Sequence, residues 1–214
     1  MAARTGNPSA RDTVYETVRH RLTAGEYGPG TALVPATLSA EFRVSRTPVR
    51  EALGLLEREG LLVGTARGFV PRIRTEEEAL EIFEARAILE SGAAAAAAER
   101  RTHADLLRLQ EISERAREQT DPAEVRRYLN AWHDAVRRAA HNDTLGALLH
   151  TLEAQAKLAA PWRSGDHGRP LAERRDEHDA VLAAITDRDA DRARRAMLEH
   201  LARDRDFRIR HAAR

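Results

Sequence analysis

Two sets of residues have side chains and spacings that could do chemistry. His133, His178 and His200 each lie on a mostly apolar stripe of a segment with helical periodicity. His133 keeps company with Leu129, Val136 and Ala140, His178 with Val181, Leu182 and Ile185, and His200 with Ala196, Met197 and Phe207. A lone histidine in such a place is usually a hydrogen-bonded core residue. Three on different helices of one segment could converge, and neutral imidazoles are good ligands for a divalent metal. The second set is Arg46, Thr47 and Arg50, within "VSRTPVREALGLLEREG" at residues 44–60. Val49, Ala52, Leu53 and Leu56 recur on one face there, yet two cations occupy the first turn, where the helix dipole favours anions. That penalty, a few tenths of a kcal/mol per charge, is small beside about 1–3 kcal/mol for a bidentate arginine contact to a base edge. Arginines at a helix start therefore suit a recognition helix that enters the DNA major groove by its N-terminal end.

The elements that must hold these residues can be read on either side of them. Residues 1–11 contain Gly, Asn, Pro and Ser without periodicity and read as an unstructured arm. From Asp12 a helix with Val14, Val18 and Leu22 on one face runs to Gly25. A Gly28-Pro29-Gly30 turn and an extended Leu33-Val34 follow, and Pro35 opens a second helix ending near Arg43. The helix that carries Arg46 has Ser45 as its expected N-cap and Pro48 in its first turn. It ends at Gly60, and "LLVGTARGFVPRI" alternates around a Gly64–Gly68 turn as a small hairpin. Residues 12–74 thus spell a winged helix-turn-helix, with Arg67-Gly68 at the tip of the wing and Arg43 at the end of the second helix as further DNA contacts. Residues 75–214 read as six antiparallel helices in an all-α bundle. Thr75 and Asp121-Pro122 mark helix starts, Asn142 or Asp143 caps another, and "PWRSGDHGRP" at 161–170 forms a loop. The expected fold class is mainly α: an N-terminal winged helix-turn-helix followed by a C-terminal helical bundle.

Bulk composition narrows the functions. Residues 1–74 hold 11 arginines against seven acids, and the remainder holds 24 basic against 27 acidic residues, so a basic head precedes a slightly acidic body. There is no cysteine, hence no disulfide framework and no thiolate metal site. No apolar run approaches the roughly 18 residues of a membrane span, and the start lacks the apolar core of a signal peptide. A cytoplasmic protein without membrane partners is expected. No P-loop, dinucleotide fingerprint or nucleophile elbow occurs. A three-histidine zinc site with an open position can activate water, but no general base accompanies these histidines in a matching motif. The chain does not read as an enzyme. His20, His103, His141, His150, His167 and His211 are expected at the surface or in loops.

"GEYGPGTAL", "LSAEFRVSRTPVREALGLLEREGLL" and "GFV" resemble the DNA-binding signature of the GntR family of bacterial transcriptional regulators. The resemblance implies DNA contact by Ser45, Arg46, Thr47, Arg50 and Gly68, with Arg67 beside them. The family often places another DNA-contacting arginine in the second helix, near Ala36 of this chain. "FEARAILESGAAAAAAER", "WHDAVRRAAHN", "EHDAVLAAI" and "MLEHL" resemble the FCD ligand-binding domain of the FadR-type branch. That likeness implies a divalent metal, zinc or nickel, on His133, His178 and His200, and a small carboxylate effector with Arg86 nearby. The family's aspartate one turn before the first histidine is absent: Leu129 stands there, and Asn130 beside it is the nearest substitute ligand. Two readings stay open, one with a metal on weakened ligation and one with histidines that hold an organic acid directly. The implied function is a ligand-responsive repressor, a homodimer on a pseudo-palindromic double-stranded DNA operator. The alternative is a metal- or organic-acid-binding sensor that works through protein partners, its DNA head vestigial.

Overall fold

The computed structural model describes residues 9–159 and 169–212. Helices α1 (Ala10–Ala24), α2 (Pro35–Phe42) and α3 (Arg46–Arg58) come first. Strands β1 (Leu62–Thr65) and β2 (Gly68–Pro71) follow, and then α4 (Glu76–Arg100), α5 (His103–Glu118), α6 (Pro122–Ala139), α7 (Asp143–Leu158), α8 (Leu171–Thr186) and α9 (Ala190–Ala212). The protein is mainly helical, with a winged helix-turn-helix and a helical bundle. Most of the expected arm and most of the 161–170 loop lie outside the described residues. Helix α1 starts two residues before the expected Asp12, because the Ser9 hydroxyl accepts the Asp12 N–H.

Two compact units result, and the first extends past residue 74 into the start of α4. Among the described residues, one comprises 9–78 with 153–159, the other 79–152 with 169–212. Local bonding explains the extension. Thr75 and Glu78 cap each other reciprocally, at 3.0 and 3.1 Å, and Arg72 pairs with Glu78, so the first turn of α4 belongs to the first unit. The last turns of α7 join it too: Ala154 is buried in its core, and Gln155 Nε2 donates to the Glu59 carbonyl at 2.7 Å.

In the first unit, Val14, Val18 and Leu22 of α1 pack on Val49, Ala52, Leu53 and Leu56 of α3. The turn between α2 and α3 is tight. Arg43 closes α2 in the left-handed region at φ 54°, and the Ser39 hydroxyl donates to the Val44 carbonyl at 2.7 Å. The hairpin pairs Leu62 with Pro71 and Thr65 with Gly68, and Leu33 bridges the other edge of β2 at Phe69. In the second unit the alanine run of α4 lets neighbouring helices approach closely. Ala94, Ala97 and Ala98 share a core with Leu109, Trp132, Val136, Val181, Ile185 and Met197. Arg101 donates to the carbonyls of Ile185 and Thr186, at 2.8 and 2.7 Å, and so helps to satisfy the acceptors at the end of α8.

Candidate functional site

The exposed face of the first unit gathers the sequence-predicted DNA residues. Arg43, Ser45, Arg46, Thr47, Arg50 and Arg67 are all exposed. Ser45 occupies the N-cap of α3 with extended backbone, as expected, but its side chain makes no capping hydrogen bond. Arg46, Arg50 and Arg67 line one groove of about 830 Å³, together with Ala36 and Glu57. Among the described residues none of these three arginines has a carboxylate partner; Arg21, by contrast, pairs with Glu26 and Glu41. The glycine at 68 has a reason inside the fold. Its φ is +133°, and a Cβ there would come within 2.6 Å of the Leu33 carbonyl oxygen. Close packing of the wing on the Leu33 bridge, not the approach of DNA, demands glycine here.

The second unit brings the three histidines together. His133, His178 and His200 are 6%, 2% and 4% exposed, deep in the bundle. His133 Nε2 lies 3.3 Å from Nε2 of His178 and 3.3 Å from Nε2 of His200. Ligands 2.0–2.1 Å from a tetrahedral zinc would stand about 3.3 Å apart, as these two pairs do, and one nitrogen from each of the three rings lies within 4.8 Å of the others. The far side of two of the rings is spoken for. His178 Nδ1 meets the Arg174 carbonyl at 2.6 Å and His200 Nδ1 meets Glu177 at 2.8 Å, so both Nδ1 atoms carry the proton and both Nε2 lone pairs face inward. His133 Nδ1 faces Glu90 Oε2 at 3.8 Å, and both atoms are buried without a hydrogen-bond partner.

His133 has no satisfactory tautomer by itself. A proton on Nε2 would serve one neighbour but turn the Nδ1 lone pair toward a carboxylate. A proton on Nδ1 would leave three lone pairs converging on one point. A cation at that point removes the conflict, so these residues fit a divalent metal. Protonation is disfavoured as well. Burial lowers His133 to about 4 despite Glu90 nearby, and it pushes His178 well below the usual histidine range with help from the other two rings. Neutral imidazoles are the form that ligates.

Behind the histidines stand two carboxylates, each between arginines. Burial alone would raise Glu90, but His133, Arg86 and Arg137 outweigh it and hold the carboxyl well below its ordinary range. Burial likewise opposes ionisation of Glu177, yet His200, Arg169 and Arg203 bring it down to about 2. Arg86 contacts Glu90 through Nε at 3.3 Å with its side chain 15% exposed, so the residue implied by resemblance does sit at the edge of this cluster. The indole of Trp132 packs edge-on against His178 at 4.8 Å.

Asn130 does not join them. It is exposed while Leu129 and His133 are buried, because on α6 the position three residues before His133 turns out of the bundle and only the position four before faces in. No protein oxygen replaces the missing aspartate from that helix. Glu90 and Glu177 were not singled out in the sequence, although a signal exists. Glu90 shares a helical stripe with Phe83, Ala94 and Ala97, and Glu177 shares one with Val181 and Ala184, all buried. An acid on a core stripe is rarely buried unless paired. Among the other histidines, His20, His103, His141 and His150 are exposed, and His167 lies outside the described residues.

Comparison with known proteins agrees with both halves. Residues 10–68 match the model of bacterial regulatory proteins of the gntR family, and residues 81–203 match the FCD domain. The chain belongs to the FCD-domain branch of the GntR family. The Uxu operon regulator of Haemophilus influenzae is 30% identical over 203 residues, covering 86% of this chain and 76% of that one. The Nta operon transcriptional regulator of Aminobacter aminovorans is 26% identical over 185 residues, covering 84% and 85%. Among solved structures, E. coli McbR/YncC superposes with a TM-score of 0.78 at 25% identity, covering 96% of this chain and 99% of that one. The Uxu and Nta relatives are operon regulators rather than enzymes, and this GntR protein is a DNA-binding transcriptional regulator. Among the described residues no helix is long and apolar enough to cross a membrane.

Proposed function

We propose that this regulator is a cytoplasmic repressor that binds a pseudo-palindromic operator as a homodimer and is released by a small carboxylate metabolite. The observation that carries the effector half of this reading is the convergence of three inward-facing Nε2 atoms, with two of the opposite nitrogens already tied down. In this reading His133, His178 and His200 hold zinc or nickel, which when bound supplies a Lewis-acidic position for the effector carboxylate. Arg86 engages Glu90 through Nε among the described contacts, and in this reading its terminal nitrogens receive the effector carboxylate. Trp132 and the surrounding apolar core limit access of water.

At the DNA, Arg46 and Arg50 enter the major groove from the start of α3, Ser45, Thr47 and Arg43 engage phosphates, and Arg67 reaches out from the wing. One such head makes few base contacts. A two-fold dimer supplies a second half-site and with it specific affinity. The effector biases the arrangement of the heads only by the difference in its affinity for the two states.

Zinc affinity of metal-stripped protein, measured against a competing chelator, tests the centre. His178→Ala should abolish tight zinc binding while effector-free operator binding survives. Unchanged zinc affinity in that variant would refute the assignment. Equal affinity of the stripped and zinc-loaded wild type for small carboxylates would mean that the histidines hold the acid directly.

A further inference from the structure

We infer that Glu57 is a positioning residue that latches the wing to the recognition helix and so sets where Arg67 meets DNA. The inference rests on the DNA contacts proposed above. It starts from the hairpin's register. Gly64 of β1 stands opposite Phe69 of β2, and the N–H and carbonyl of Phe69 both bond to Leu33, at 3.1 and 2.7 Å. Gly64 and Phe69 are therefore a non-hydrogen-bonded pair, and the Gly64 N–H points to the outer edge of the hairpin. There Glu57 Oε1 accepts it at 2.9 Å. The wing is thus held at both edges, by the Leu33 segment on one side and by α3 on the other.

Glu57 follows Arg50 by two helical turns and lines the same groove. An exposed carboxylate among unpaired guanidinium groups opposes phosphate binding, so at this place it weakens the groove unless it does something else. Two further contacts show what that is. A Cβ on Gly64 would come within 2.8 Å of Glu57 Oε1, so glycine leaves room for the latch. The wing tip is braced from within: the Thr65 hydroxyl donates to the Gly68 carbonyl at 3.0 Å and accepts the Arg67 N–H at 3.3 Å. A fixed base and a braced tip place Arg67 at a set distance from Arg46 and Arg50. The charge that costs affinity for all DNA sharpens the choice between sites.

The test uses the full-length protein and two DNA duplexes: the site that wild type enriches from a random-sequence pool, and a shuffled duplex of the same composition. Glu57→Gln keeps the acceptor and removes the charge; both affinities should rise by a similar factor and their ratio should hold. Glu57→Ala should lower the ratio about five-fold, the size expected for loss of one hydrogen bond. Gly64→Ala, which keeps the carboxylate but blocks its approach, should copy Glu57→Ala. Hydrogen exchange at the amide of residue 64 should quicken in both alanine variants and stay slow in Glu57→Gln. Identical behaviour of Glu57→Gln and Glu57→Ala, or a slow Gly64 amide in Glu57→Ala, would overturn the latch. If wild type enriched no sequence, the DNA-contact assignment would fall with the proposed gain in discrimination, and amide exchange would still decide whether the latch exists.

Discussion

Replacing Glu177 by glutamine changes one oxygen to nitrogen in the second unit and should be costly in a pH-dependent way. Glu177 accepts from His200 Nδ1 at 2.8 Å and from Arg169 through both oxygens, and Arg203 adds a contact at 3.2 Å. Its carboxyl titrates at about 2 instead of the ordinary 4.5, with burial opposing the shift and His200, Arg169 and Arg203 driving it. A depressed carboxyl stabilises the fold above the unfolded-state value and loses that contribution as pH falls through the folded one, here from about 4.5 to about 2. The full difference corresponds to about 3.4 kcal/mol. Arg203 is 56% exposed, so solvent screens part of the interaction, and roughly 2 kcal/mol is the reasonable expectation. In urea this lowers the unfolding midpoint by roughly 1 M. The assay follows Trp132 fluorescence in a Trp162→Phe background, with metal-stripped protein, at pH 7 and at pH 3. Glu177→Gln should be less stable at pH 7, and the gap from wild type should narrow as pH drops. Zinc affinity should fall about ten- to a hundred-fold, as for other partners that orient a ligating histidine. Equal stability at pH 7, or a gap that does not change with pH, would refute the electrostatic argument. Unchanged zinc affinity would refute the orienting role.

The remaining predictions concern the first unit. Arg50→Ala should cost operator affinity about ten-fold or more while barely changing affinity for shuffled DNA, if Arg50 reads a base edge. A uniform loss with a smaller salt slope would make it a phosphate contact instead. Gly68→Ala forces a Cβ against the Leu33 carbonyl at a positive φ, so it should destabilise the wing by about 1–3 kcal/mol. Its loss of DNA binding should diminish on cooling or with stabilising osmolyte; a defect unaffected by either, in a normally stable variant, would point to direct DNA contact at residue 68.

What the sequence revealed and what it hid divide along physical lines. The stripe of Val49, Ala52, Leu53 and Leu56 and the inward positions of the three histidines were legible, because helical periodicity alone decides which residues face the core. Helix starts at Pro35, Arg46 and Pro122 were legible too, since their signals are local. The pairing of Glu90 with Arg137 and of Glu177 with Arg169 was not: the first pair is 47 positions apart, the second joins α8 to a residue that precedes the helix, no helical spacing rule links either, and buried acids look like surface acids until their partners are known. Asn130 shows the opposite error. It lay close to His133 in the chain, and one residue of helical rotation, about 100°, puts it outside. The last turns of α7 could not be assigned to the first unit from their sequence, because an amphipathic helix does not say which core its apolar face will meet.

The missing aspartate bears on what the pocket would select. With Leu129 in that position the protein offers three neutral nitrogens, and its nearby negative charges sit one imidazole further out, on Glu90 and Glu177. Those charges are themselves countered, Glu90 by Arg86 and Arg137, Glu177 by Arg169 and Arg203. In the proposed reading a bound dication would therefore keep most of its charge in a buried site, where water screens it poorly. Such a site favours an anion as the remaining ligand more strongly than one completed by a protein carboxylate. The same charge balance disfavours a neutral or cationic effector. What looks in the sequence like a damaged metal site can instead be a centre whose carboxylate is supplied by the molecule it senses.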